Sequence, residues 1–200
     1  MKPRKKQPEV TRQALLEAAG VAFGRGGYAG SALGEIVGAA GVTKGALFHH
    51  FPDKRSLAKA WIGESLAAEI DASWAQPLAE VASLGGLKQW CRTRIDGLEP
   101  AAAFSTLAAL AAELGKTEPA LAAELEAVFA SLRQALAAMF ERGREDGWIF
   151  RAVKPANEAA MLVAVLAGIA VVGAAGGSAA LAAVAAPVED YIETLRAQVG

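Results

Sequence analysis

This 200-residue sequence predicts an all-α fold in two parts, and three observations lead there. Apolar residues recur at intervals of three and four along most of the chain, the spacing that gives a helix one buried face. Glycine and proline punctuate those stretches, at Gly24 to Gly30, Gly41, Pro52, Pro77, Gly147 and Pro155. Charge also divides: residues 1–60 hold ten Lys/Arg against four Asp/Glu, and residues 61–200 hold ten against seventeen, so +6 and −7 sum to the net −1. A basic part joined to an acidic part is the electrostatic footprint of a nucleic-acid reader. With 54% hydrophobic and 20% charged residues, the chain has enough apolar material for a sizeable core. The expected division is a flexible basic arm over 1–8, a head over 9–55 and a helical body over 56–200.

The arm carries Lys2, Arg4, Lys5 and Lys6 with no apolar pattern to hold it. Two readings stand open for it: added phosphate or minor-groove contacts, or a solubilising terminus. From Thr11, a candidate N-cap, to about Phe23, the positions Leu15, Ala18, Ala19, Ala22 and Phe23 describe an amphipathic helix. Gly24, Gly26, Gly27 and Gly30 then predict a loop plugged by Tyr28; the cluster lacks the G-x-x-x-x-G-K-[ST] order of a phosphate loop. Ser31 is the expected N-cap of a second helix, with Leu33, Ile36, Val37 and Ala40 on its buried face. Gly34 costs that helix about 1 kcal/mol relative to alanine.

Gly41 is placed to end the second helix in the left-handed conformation, with Val42 as its apolar anchor. Thr43 caps a third helix, Lys44 to Phe51, on which Leu47 and Phe51 face inward together. Pro52 stops it. Two short helices joined by a tight glycine turn make a helix-turn-helix, whose second helix can lie in a DNA major groove.

In the body, Asp53 caps a helix that Leu57, Ala60, Trp61, Glu64 and Ala68 carry toward Trp74, ending at Pro77. Gly85-Gly86 separates a short segment from a helix over Leu87 to Leu98, and Glu99-Pro100 opens another through Leu110 to Gly115. Glu118-Pro119 opens the longest, to about Asp146, with Leu121, Leu125, Val128, Phe129, Leu132, Leu136, Met139 and Phe140 at helical spacing. Trp148-Ile149-Phe150 then forms an apolar turn. Residues 159–188 contain no charge, and a membrane span needs about twenty predominantly apolar residues. Gly173, Gly176, Gly177 and Ser178 interrupt the run, and no basic flank anchors it. A pair of helices, about 155–175 and 178–198, is expected instead, apolar on most sides because one meets the core and another a second copy of the chain.

The run Ala40-Gly41-Val42-Thr43-Lys44-Gly45-Ala46-Leu47-Phe48-His49-His50-Phe51-Pro52-Asp53-Lys54 resembles the signature of the TetR family of one-component transcriptional regulators. The close fit spans about Thr11 to Leu57; beyond it the chain is similar in length and helical character. The resemblance implies a homodimeric repressor on a palindromic double-stranded DNA operator, released by a small apolar or amphipathic effector. It also implies that the helix after Pro52 links the head to the body. Trp61, Trp74, Trp90, Phe104, Phe129, Met139 and Phe140 would line the effector cavity, against the reading that each is ordinary core.

Position assigns roles on the third helix. Thr43 and Lys44, at its N-terminal turn, are placed to bind a phosphate or approach a base edge. Gly45 and Ala46 permit close approach. The family usually carries Tyr where Phe48 stands, for a phosphate bond that Phe48 cannot make; it packs on sugar or a thymine methyl, or shields the core. His49 points outward to a base or phosphate, and His50 is either a structural cap or a contact. Ser31, where the family usually has Thr, is a phosphate-contact candidate, and Lys54 is aimed at the DNA backbone, positioning rather than specifying.

Other chemistry is not signalled. Adjacent His49 and His50 point about 100° apart on a helix and do not chelate one metal from a single face. Cys91 is the sole cysteine, which excludes an internal disulfide and multi-cysteine zinc sites and fits a reducing, cytoplasmic setting. Gln7, Pro8 and Glu9 follow the basic start where a signal peptide would need an apolar run. No catalytic set, cofactor or metal is expected, and Glu124/Glu126 and Glu145/Asp146 read as solvated helix faces. The alternative reading is a membrane-associated or structural helical protein without DNA binding.

Overall fold

The computed structural model describes residues 8–197; within them the regular elements are helices, with one isolated bridge between Ile149 and Arg196. The expected basic arm, Lys2 to Lys6, lies outside the described residues, as does the last residue of the expected final helix.

The head consists of α1 (Pro8–Gly30), α2 (Leu33–Ala39) and α3 (Lys44–His50). α1 is longer than its apolar pattern suggested. Thr11 is a buried residue inside it rather than a cap, and Gly24 and Gly26 stay helical. The break comes at Gly27, with φ 68° and ψ −177°. Tertiary packing overrides the poor propensity of those glycines: the Phe23 ring lies 5.4 Å from Trp61 and 6.0 Å from Tyr28. Ser31 does not cap α2, which starts after an extended Ala32 that has no side-chain cap bond. The Ser31 hydroxyl is turned inward and donates to the Gly27 carbonyl at 2.6 Å. α2 ends as expected at left-handed Gly41, φ 62°, and the Val42 N–H reaches back to the Val37 carbonyl at 3.2 Å. The Thr43 hydroxyl accepts from the Ala46 N–H at 3.1 Å and starts α3. Phe51 is extended, with its ring buried.

Asp53 caps the linking rod, accepting from the Ser56 N–H at 2.7 Å. The rod runs through α4 (Lys54–Ala60) and α5 (Ala67–Ile70), loosens into wider turns at Trp61–Leu66 and Asp71–Ala75, and tightens into a 3₁₀ turn over Gln76–Glu80. Trp61, Ile62, Leu66, Ile70 and Trp74 form its buried side.

The body adds α6 (Leu84–Asp96), α7 (Ala103–Leu114), α8 (Pro119–Glu145) and α9 (Pro155–Glu193). Gly85-Gly86 does not separate two segments. Ser83 is the cap, accepting from the Gly86 N–H at 3.1 Å, so both glycines fall in the first turn of α6. α7 likewise begins at Ala103 rather than at Glu99-Pro100. Gly177, φ 63°, divides α9 into the two expected helical halves.

The core is continuous from Leu15, Ile36 and Leu47 in the head, through Leu57, Trp61 and Leu66 of the rod, to Leu107, Leu136 and Leu166 in the body. α9 packs on α6, α7 and α8, and α1 packs on α7. Among the described residues α9 is the helix long and apolar enough to cross a membrane. One side of it, with Ala159, Leu162, Val163, Leu166 and Ile169, is nonetheless buried against the body. Its remaining face exposes Met161, Val165, Val171 and Val172. Cys91 is buried in α6, and burial, with the charge of Glu189, pushes its thiol up to about 12.

Gly143 carries a steric demand. A Cβ there would lie 2.6 Å from Ile149 Cγ1 and 2.8 Å from the Trp148 ring, because the apolar turn crosses α8 at that point. Gly143→Ala should therefore destabilise the fold by about 1–3 kcal/mol, read as a lower urea midpoint with an unchanged slope; an unshifted midpoint would mean that the turn yields freely.

Candidate nucleic-acid interface

The outer face of α3 presents Thr43, Lys44, Gly45, Phe48 and His49 to solvent, while Leu47 on the opposite face is buried among Leu15, Ile36 and Phe51. Phe48 is 54% exposed, an unusual state for a large aromatic and one that removes its core-shielding reading. Ala46 and His50 are half-buried, and the His50 ring sits 5.2 Å from His49 and 6.3 Å from Phe51. The Thr43 hydroxyl spends an acceptor pair on the Ala46 N–H and keeps its own proton to donate outward.

Two expected contacts are placed differently. Ser31 is 5% exposed, its hydroxyl committed to Gly27, so it shapes the turn before α2. Lys54 Nζ lies 4.5 Å over the Tyr28 ring and 3.5 Å from the Ala29 carbonyl, and burial lowers its pKa against the raising effect of Glu113. It braces the turn between α1 and α2.

That turn is held from the body. The carboxylate of Glu113, near the end of α7, accepts from the Tyr28 N–H at 2.9 Å and from the Ala29 N–H at 2.7 Å. Gly27 is required there for its positive φ, and a Cβ on it would stand 2.5 Å from Glu113 Oε2 and push the carboxylate off the amides it holds. Sequence reading missed Glu113, and no local signal marks it.

Other cations of the head and the rod are paired away from α3. Arg12 of α1 forks onto Glu64 of the rod at 2.5 and 2.6 Å, and on the rod Arg55 meets Glu118 at 2.8 Å and Lys59 meets Glu124 at 3.2 Å. Among the described residues of the head this leaves Arg25 and Lys44 as exposed cations without a partner.

The aromatic set is mostly core. Trp74 stacks on Phe104 at 4.0 Å, Trp90 meets Trp74 edge-on at 5.8 Å, and Phe129 meets Phe104 edge-on at 6.1 Å. Trp61 borders a groove of about 510 Å³ between α1, the rod and the start of α7. Trp74 and Phe104 border a cavity of about 190 Å³. Trp90, Met139 and Phe140 are buried and line neither. A third cavity, about 170 Å³ between the rod and α8, is lined instead by residues such as Gly63, Ile70, Glu124 and Val128.

A helix-turn-helix head joined to an all-helical body defines a helix-turn-helix regulator. The family profile described as "Bacterial regulatory proteins, tetR family" matches residues 15–61, and that described as "BetI-type transcriptional repressor, C-terminal" matches residues 86–197. The chain belongs to the tetR family of bacterial regulatory proteins. The A-factor receptor protein of Streptomyces griseus is 30% identical over 165 residues, covering 82% of this chain and 55% of that one. The HTH-type transcriptional regulator AcrR of Shigella flexneri is 41% identical over 69 residues, 34% of this chain and 32% of the relative. The chain thus spans from about a third to about half the length of these curated relatives. A TetR-family transcriptional regulator from Agrobacterium tumefaciens superposes with a TM-score of 0.80 at 25% identity, over 96% of this chain and 100% of that one. One from Cytophaga hutchinsonii, at 17% identity, shares the fold with a TM-score of 0.83 over 98% and 100%.

Three outcomes are expected. Lys44→Ala should weaken DNA binding on every sequence tested and flatten the slope of log affinity against log salt by about one; an unaltered slope takes Lys44 off the contact surface. Glu113→Ala should release the Tyr28 and Ala29 amides, raising their hydrogen exchange about tenfold or more, as expected for loss of charge-assisted bonds. Unchanged protection would mean the turn holds itself. The hydrogen bond from Arg12 keeps the half-exposed Glu64 carboxyl below its usual 4.5. The pair therefore stabilises fully above that value and fades as pH falls through the lowered one. Glu64→Gln should cost a few tenths of a kcal/mol at neutral pH and nothing at acid pH, measured as a denaturation series over pH.

Proposed function

We propose that this protein is a cytoplasmic, sequence-specific transcriptional repressor that binds a palindromic operator as a homodimer and is released by a small apolar or amphipathic effector. The division of labour is that of the sequence: a basic arm over 1–8, the reading head over 9–55, and a body over 56–200 for effector binding and dimerisation. The observation that carries this reading is the face of α3, which leaves Lys44, Gly45, Phe48 and His49 exposed while Arg12 of the head and Arg55 and Lys59 of the rod are paired elsewhere. Thr43, Lys44 and Arg25 supply phosphate contacts. Gly45 and Ala46 allow close approach, and Phe48 and His49 meet base or sugar edges.

The exposed strip of Met161, Val165, Val171 and Val172 on the first half of α9 supports pairing along that helix. Two α3 helices must then stand about 34–36 Å apart to enter successive major grooves. An effector that prefers a body conformation with another spacing lowers DNA affinity by its differential affinity for the two states. Trp61, Trp74 and Phe104 are the aromatic residues placed at cavities where such a molecule could enter.

The test uses the purified full chain. Genomic fragments retained on it at modest salt are sequenced, and its mass in solution is measured. A shared inverted repeat and a dimer mass are expected. A monomer, or fragments without a common motif, would sink the proposal.

A further inference from the structure

Arg94 sits near the end of α6, where the rod, α6 and the start of α7 line the half-open pocket of about 190 Å³. Its Nε is buried with no hydrogen-bond partner. The guanidinium carbon lies 5.9 Å from the centre of the Trp74 ring and 5.8 Å from that of Trp90, and burial lowers the arginine's pKa. The half-buried arginines elsewhere in the described chain are each matched to an oxygen: Arg12 to Glu64, Arg133 to Glu126, Arg142 to the Leu78 carbonyl, Arg144 to Glu141 and the Val153 carbonyl. Arg94 has no such match.

The cavity's other polar side chains do not supply it. Ser73 donates its hydroxyl to the Glu69 carbonyl at 2.5 Å and Thr93 donates to the Gln89 carbonyl at 2.9 Å. Glu69 also borders the cavity, but no ion pair joins it to Arg94. The remaining wall is apolar, with Trp74 and Phe104 stacked against each other. A partly desolvated guanidinium without an oxygen partner, lining a pocket with an aromatic floor, is the constellation that a carboxylate on a flat or short apolar body satisfies, received by its terminal nitrogens because Nε itself is closed off. Pockets for drug-sized ligands run from about 300 Å³ upward, so a pocket of this size suits a smaller molecule.

We propose that this cavity binds a small carboxylic acid, a benzoate-sized or short-chain monoacid, with Arg94 as its counter-ion and Trp74 and Phe104 against its apolar part. The inference rests on the regulator reading and names the class of effector. Phe104 lies in the first turn of α7 and Glu113 nine residues on, about 14 Å along the same helix at 1.5 Å per residue. A ligand at one end of α7 thus bears on the element that holds the head's turn at the other.

Trp74 and Trp90 flank Arg94 and report occupancy through their emission. The full chain is titrated with benzoate and hexanoate, each beside its neutral amide, with operator-fragment affinity measured in parallel. Expected are saturable emission changes for at least one acid and none for its amide, and at least tenfold weaker acid binding by Arg94→Gln, with Arg94→Lys intermediate. No response to either acid, an equal response to amide, or full retention by a folded Arg94→Gln would overturn the proposal. Should Arg94→Gln fail to fold, the acid-against-amide comparison on the unaltered chain decides alone. Acid binding by a protein that holds no DNA sequence would remove the regulator reading and leave the cavity's assignment standing.

Discussion

The carboxylate of Glu113 closes the turn from which the reading helices hang, and most of the head's geometry depends on that closure. Gly27 must take a positive φ for the chain to reverse after α1, and the amides of Tyr28 and Ala29 are then left without helical partners. A water shell would satisfy them without fixing anything. A carboxylate on a different helix satisfies them and also ties α2 and α3 to the body. Ser31 and Lys54 complete the knot from the head's own side.

This gives the charge segregation a second meaning. The excess of cations in the first sixty residues reads as attraction to phosphate, and for Lys44 and Arg25 the exposed geometry fits that reading. Arg12, Arg55 and Lys59 are instead paired with Glu64, Glu118 and Glu124. The first of these joins α1 to the rod, and the other two join the rod to the segment opening α8. Exposed pairs of this kind contribute little stability each. They do orient: they make the rod's tilt a property of the body, which is what a coupled regulator requires.

The head was the most legible part of the fold because its signals are local. Thr43 and Asp53 cap within three residues, and Gly41 closes α2 by bonds that span five. Where tertiary contact decides, the local reading slipped. α1 continues through Gly24 and Gly26 because Phe23 is anchored on Trp61, and Ser31 faces inward because the Gly27 carbonyl needs a donor. Glu113 lies more than eighty residues from the amides it holds, so no periodicity could point to it. Aromatic content was easy to count, yet which rings border space and which fill it is settled by packing: Trp90 and Phe140 look no different in sequence from Trp74 and Phe104.

Gly177 bends α9 at a single residue of positive φ, and close contacts hem in the elbow on both arms: a Cβ on Gly173 would meet Leu181, and one on Gly176 would meet Ala180. The joint behaves as a set square rather than as a pivot. If two copies meet along this helix, the angle between them is inherited from one backbone dihedral, and the calliper opening of the assembled molecule is fixed far from the jaws that use it.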